Sequence, residues 1–225
     1  MMLHKLYFWF ERIYRHRKYN TVISIGAACF VPEALKQLKL RGFSGPFDWM
    51  YGSDVITRLG YVYNRFENYF NSSDFEYVGE NTESLKSVYK NIRTGIVYNH
   101  DFEPGDFSKV FPQVAEKYAR RISRVLKYLD SGRRILFVYS ELGDSRDVNQ
   151  IIDIMKKINN RYTAEIDLLY VCHKPEIPIG KYCGLRRVSK NVIYCEYHYQ
   201  TYPTETVAAR STLKDILGRV TKRRI

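Results

Sequence analysis

The residues best suited to covalent chemistry on a carbonyl are Cys29, His100 and the carboxylates Asp48 and Asp101. Cys29 sits in a telling context. A β-branched run (Val22, Ile23, Ile25) ends at Gly26; Ala27, Ala28, Cys29 and Phe30 follow; then Val31, Ala34, Leu35 and Leu38 fall at helical spacing. This reads as a strand, a tight turn and a helix start with a thiol in the turn. Helix N-termini carry free N–H groups and the positive end of the dipole, and a thiol there has its pKa lowered toward neutrality. Such a nucleophile needs a base and a donor pocket for an oxyanion. The backbone from Gly26 to Phe30 offers the donors. His100 is the first choice of base and His173 the second. Asp48 is the first choice to orient the imidazole, with Glu141 behind it and Asp101 too close along the chain. Trp49 and Phe47 are either site wall or core, and core is the commoner use. The competing reading makes Cys29 a small buried hydrophobe.

The elements that must position these groups can be read in order. Residues 5–19 fit a basic aromatic helix, treated as a unit over 1–20. Pro32 to Leu40 reads as the helix after the thiol, and LRGFSGPFDW as a loop punctuated by Gly42, Gly45 and Pro46. Ser53 and Asp54 can cap a helix running to about Phe70. Residues 71–94 read as loop, with a helical piece near Leu85 to Tyr89. Ile96 to Asn99 reads as a short strand delivering His100 and Asp101 at its end. Phe111 to Leu129 is helical by period, closed by Asp130, Ser131 and Gly132. Then RRILFVYSE, AEIDLLYVC and NVIYCEYHY read as strands, with helices at Asp147 to Asn160 and Thr204 to Thr221. Near-continuous apolar strands separated by amphipathic helices predict an α/β fold: a mostly parallel sheet with helices on both faces. Residues 21–225 form one domain with a helical insertion at about 50–130. Ligands bind such sheets at the carboxyl ends of the strands, where Cys29, Glu141, Asp144, Cys172 and His173 all fall.

Composition bounds the partners. The chain has 225 residues, 45% hydrophobic and 15% aromatic, with formal net charge +12, which is globular in character. Much of the charge lies at the ends: Lys5, Arg12, Arg15, Arg17 and Lys18, then Arg219, Lys222, Arg223 and Arg224. Charged tails of this kind favour solubility or contact with anionic surfaces, so nucleic acid is not the expected partner. A membrane surface touched by the basic N-terminal helix is the sharper alternative to simple docking. The four cysteines form no CxxC pair, so neither a metal site nor a cofactor is expected. No secretory signal or membrane span is visible, and a cytoplasmic chain, peripheral to the membrane if the N-terminal helix touches it, is the expectation.

The stretch SIGAACFVPEALKQLKLRGFSGPFDW resembles the opening motif of a bacterial family catalogued as putative papain-like cysteine peptidases: a small-residue turn with cysteine, a helix, Leu-Arg, then Pro-Phe-Asp-Trp. The likeness continues at His100-Asp101-Phe102, at Arg120-Arg121-Ile122 and at RRILFVYSE, over about Val22 to Glu141. It departs at Tyr139, where the family has arginine, and at Ala27-Ala28, where many members have Ser-Asn. The resemblance implies Cys29 as nucleophile and His100 as general base; Gly26, Ala27, Ala28, Phe30, Trp49, Asp101 and Glu141 are the residues expected to line the site. The implied reaction is acyl transfer from an amide or ester to water, on a peptide, ester or glycan-conjugate substrate. A nucleophile directly after the first strand of a parallel sheet also resembles SGNH-type hydrolases and acyltransferases of surface-polysaccharide assembly. A third reading is a non-catalytic module whose basic ends hold membrane or a partner.

Overall fold

The computed structural model describes residues 19–27, 29–141, 146–198 and 203–221, with the backbone alone for 203–210. The N-terminal helix expected over 5–19, Ala28 and Asp144 lie outside the described residues, Tyr19 excepted.

Thr21–Ser24 (β1) pairs in parallel with Arg134–Glu141 (β6), in register Thr21 with Ile135 through Ser24 with Val138. On the other side β6 pairs in parallel with Glu165–His173 (β7), and β7 with Val192–Tyr197 (β9). Tyr182–Ser189 (β8) closes the far edge antiparallel, giving the order β1-β6-β7-β9-β8. Alternation along these strands feeds two cores. Leu136, Val138, Leu169 and Val171 face Phe30–Gln37 (α1) and Pro203–Thr221 (α5). Ile135, Phe137, Tyr139, Leu168 and Tyr170 face Val55–Tyr63 (α2), Phe107–Leu129 (α3) and Val148–Arg161 (α4). Both faces are covered, which is why the strands read as unbroken apolar runs.

The segment 50–130 carries two helices, α2 and α3, but also a second sheet that the sequence reading lacks. Met50–Tyr51 (β2), Phe75–Asn81 (β3), Lys86–Asn91 (β4) and Val97–Phe102 (β5) form an antiparallel sheet in the order β2-β5-β4-β3. The polar stretch expected to be loop is therefore mostly the hairpin β3–β4. Its outer strand is largely exposed, so it needs few apolar residues. Its turn is set by Asn81, whose side-chain oxygen accepts from the N–H groups of Glu83 and Ser84, and by Leu85 in the left-handed region. The buried face of this sheet packs on α3 through rings, Tyr98 against Tyr118 at 5.5 Å and Phe75 against Phe111 at 5.6 Å, with Phe70 from the preceding loop stacked on Tyr118 at 4.5 Å.

Two further boundaries differ. The helix begun by the Asp54 cap, whose carboxylate accepts from the Thr57 N–H at 2.8 Å, stops at Tyr63 rather than near Phe70. Arg65, Phe66 and Asn68 adopt positive φ, and the turns they make still bury Phe66 and Tyr69. The strand β8 was not expected at all. It is a bulged edge strand carrying Arg186 and Arg187, and charge on an edge hides the apolar signal while blocking further pairing.

Candidate active site

The turn after β1 is built against a buried arginine. Arg58 lies on α2 between Val55 and Val62, on the apolar face, and is 0% exposed. Its guanidinium donates from Nη1 to the Ile25 carbonyl at 2.9 Å and from Nη2 to the Gly52 carbonyl at 2.5 Å. It stands over the rings of Phe47 and Tyr139. Gly26 has φ +100°, and a β-carbon there would lie 1.4 Å from Arg58 Nη1, so this position admits glycine alone. The chain stays beside β6 through Gly26: Ser140 N–H donates to the Gly26 carbonyl at 3.1 Å and Ala27 N–H to the Ser140 carbonyl at 3.5 Å. Ala27 is buried in the core.

Cys29 then takes the N-cap position of α1, half-buried, with its carbonyl accepting from Glu33 N–H at 3.3 Å. Val31 stands in the first turn of the helix, so its N–H group has no partner within it; Phe30 packs its ring into the core facing α5. Burial pushes the Cys29 thiol above its ordinary pKa; its own backbone N–H works in the opposite direction, and Asp48 adds a smaller upward push. The sequence reading expected a lowered value from the helix end. Here the desolvation of a half-buried sulfur outweighs the helix-terminal N–H groups.

Asp48 is 2% exposed and is held by the loop it ends. Arg41 donates to it from Nε at 3.1 Å and Nη2 at 2.6 Å, and Gly45 N–H at 2.9 Å. Burial raises the Asp48 carboxyl, while Arg41, Gly45 and Arg121 pull it down. Its partners here are thus arginine and backbone rather than an imidazole. Trp49 is half-exposed with φ 66° and carries the Arg41 guanidinium over its ring at 5.5 Å, whereas Phe47 is core.

His100 is not at a strand end but inside β5, in a bulge. Ser87 pairs with Phe102 and Tyr89 with Tyr98, so three residues of β5 lie between pairs that span one residue of β4. The bulge turns His100 out to solvent and Asp101 inward, a common use of bulges beside sites. Asp101 accepts from Tyr118 Oη at 2.8 Å and pairs with Lys117 at 2.6 Å. β2 leaves its pairing with β5 at Met50, opposite Tyr98, so the loop bearing Asp48 and the bulge bearing His100 depart from the same end of that pairing. No histidine is among the groups that shift the Cys29 thiol.

Glu141 lies buried at the end of β6 on the face of α2 and α4, with Tyr170 Oη 3.5 Å away. His173 ends β7 with its ring 5.3 Å from that of His198; burial, and then His198, hold its pKa below the ordinary value. Among the described residues, no group of three or more His, Cys, Asp and Glu side chains could hold a metal ion. The sequence reading missed Arg58, Arg41 and Arg121. Arg58 had a legible signal: a charged residue three after Val55 and four before Val62, on a helix face otherwise apolar.

Residues 20–174 match a family described as "Putative papain-like cysteine peptidase". The chain is also similar to "Uncharacterized protein R408" of Acanthamoeba polyphaga mimivirus, 25% identical over 175 residues that span 68% of this chain and 77% of that protein. That relative is viral, whereas the motif resemblance pointed to a bacterial family. No solved structure matches.

Proposed function

The chain belongs to the family described as "Putative papain-like cysteine peptidase", and from that premise we propose that it cleaves an amide or ester bond through an acyl-enzyme on Cys29, with His100 as general base. One observation carries the reading: Cys29 alone among the cysteines combines partial exposure with a helix start. Cys172 and Cys195 are buried, and Cys183, though exposed, lies on the edge strand β8 and not at a helix start. In the proposed reaction His100 takes the thiol proton as Sγ attacks the carbonyl carbon. The oxyanion draws on the N–H group of Val31. Collapse expels the amine or alcohol, which takes the proton from His100. Water, deprotonated by the same imidazole, then attacks the thioester; the acid leaves and Cys29 regains its proton. Asp48 and Arg41 act as one rigid unit that keeps the loop beside the thiol in shape. A resting thiol held neutral by burial fits a base that acts within the step rather than a standing ion pair.

The test is competitive alkylation with iodoacetamide at pH 7, read by peptide mass. Although its pKa is raised, Cys29 labels fastest because His100 takes its proton within the step, and His100→Ala slows that site without changing the other three. Uniform slow labelling of all four overturns the proposal. A second reading, acyl transfer to a sugar hydroxyl in surface-polysaccharide assembly, draws on the position of Cys29 directly behind the first parallel strand. It requires binding of an acyl donor, and a thermal shift with acetyl-coenzyme A that Cys29→Ser leaves intact distinguishes it from hydrolysis.

A further inference from the structure

At the opposite end of the sheet from Cys29, a cleft of about 580 Å³ opens between the loop after α1 and the last turns of α3. Its lining includes Phe43 and Tyr128, the cations Arg124, Lys127 and Arg133, and Ser131. The two rings stack at 5.0 Å and 17°. Each carries a guanidinium: Arg124 over Phe43 at 5.5 Å and Arg133 over Tyr128 at 5.4 Å. A guanidinium laid on a ring keeps its N–H edge free, the edge that grips phosphate oxygens. No carboxylate lines the cleft, and among the described residues none of the three cations is in an ion pair. By contrast Arg41, Arg65, Arg134 and Arg187 are all paired. The dipole of α3 favours Arg124 and Lys127 near its C-terminus, but Arg133 lies beyond the helix, just before β6, and needs another account.

Location adds to this. Asn20 N–H donates to the Arg134 carbonyl at 2.8 Å, so residues 1–18 join the described structure at the same end of the sheet as the cleft. In sequence they carry Lys5, Arg12, Arg15, Arg17 and Lys18 beside Phe8, Trp9 and Phe10. Cations interleaved with aromatic rings are the composition of surfaces that settle on anionic bilayers. We infer that the Phe43–Tyr128 cleft binds the phosphate headgroup of an anionic phospholipid, so that the protein rests on an anionic membrane by this end and turns Cys29 toward water. The inference is independent of the reaction proposed for Cys29.

The experiment is sedimentation of the full chain with phosphatidylglycerol–phosphatidylcholine vesicles at low salt, against pure phosphatidylcholine. Binding to the anionic vesicles alone is expected. The triple variant Arg124→Gln, Lys127→Gln, Arg133→Gln lowers it on the order of 100-fold, from three surface cations. The double variant Arg124→Lys, Arg133→Lys keeps the charge but loses the ring-laid N–H edges, so it binds less tightly than the unaltered chain and more tightly than the triple variant, and Cys29→Ser retains all of the binding. Vesicle binding that the triple variant leaves unchanged overturns the inference. So does stabilisation by inorganic pyrophosphate without vesicle binding, which marks a site for soluble phosphoanions. Tighter retention on single-stranded RNA than on vesicles also overturns it, in favour of nucleic acid. Absence of vesicle binding by the unaltered chain, with Cys29 alkylation intact, removes this inference and leaves the proposed chemistry standing.

Discussion

At Cys29, burial and Asp48 act together to hold the proton on sulfur. The sign of a test follows directly. Asp48→Asn removes a negative charge near the thiol while Arg41, which pairs with Asp48 at 2.6 Å, stays. The thiol pKa falls, the thiolate fraction at pH 7 rises, and alkylation of Cys29 speeds up severalfold; an unchanged or slower rate contradicts the assignment. In the unaltered protein the alkylation rate climbs with pH to a midpoint above the usual thiol value of about 8.5. Three residues earlier, Gly26→Ala puts a β-carbon 1.4 Å from Arg58 Nη1 on a backbone at φ +100°. The expected loss is about 2–3 kcal/mol, read as a lowered urea midpoint with unchanged slope.

Arg58 is the point where α2 grips the end of β1 and the start of the second sheet. Truncation leaves the carbonyls of Ile25 and Gly52 without their donor and opens a cavity among Phe47, Tyr69 and Tyr139. Arg58→Ala therefore costs about 3–5 kcal/mol. A urea-melt loss under 1 kcal/mol shows that the clamp is unimportant. The bulge of β5 behaves in the opposite way. His100 is exposed, so His100→Ala changes stability by less than about 0.5 kcal/mol while slowing Cys29 chemistry. A variant that melts early points instead to a structural role for the imidazole. Pairing both measurements on one protein separates the element's function from its folding.

For the molecule as a whole, burial raises a set of acids that are neutral at pH 7. It lifts Tyr69, Tyr98, Tyr118, Tyr139 and Tyr170, and pushes Cys172 up to about 11. The unfolded chain ionises these groups near their ordinary values of about 8.5–10, while the folded protein keeps their protons. Between those values and the raised ones the unfolded state binds fewer protons, so stability is intact below about pH 9 and falls as pH rises beyond it. Thermal melts from pH 8 to 11 are expected to show a steep drop accompanied by late tyrosinate absorbance. A melting temperature flat to pH 11 contradicts the buried placement of these rings.

The sequence by itself determined the parallel sheet and the helices on its faces, because Leu136, Val138, Leu169 and Val171 alternate with Ile135, Phe137, Leu168 and Tyr170 in runs that demand cover on both sides. It also determined the strand–turn–helix around Cys29, since Gly26 admits the left-handed turn and Pro32 fixes φ in the first turn of the helix. It could not determine the second sheet. The strand β3 is largely solvated and β4, though buried, is polar in sequence, and their pairing rests on an Asn81 turn and on aromatic rings from distant segments. Nor could it determine the company each charged group keeps. Asp48 with Arg41, Arg58 with two carbonyls, and Asp101 with Tyr118 and Lys117 were decided by tertiary packing. Once apolar contacts enclose a charge, the cost of desolvation makes it take whichever donors or acceptors the fold has brought within about 3 Å, and sequence spacing does not encode that distance.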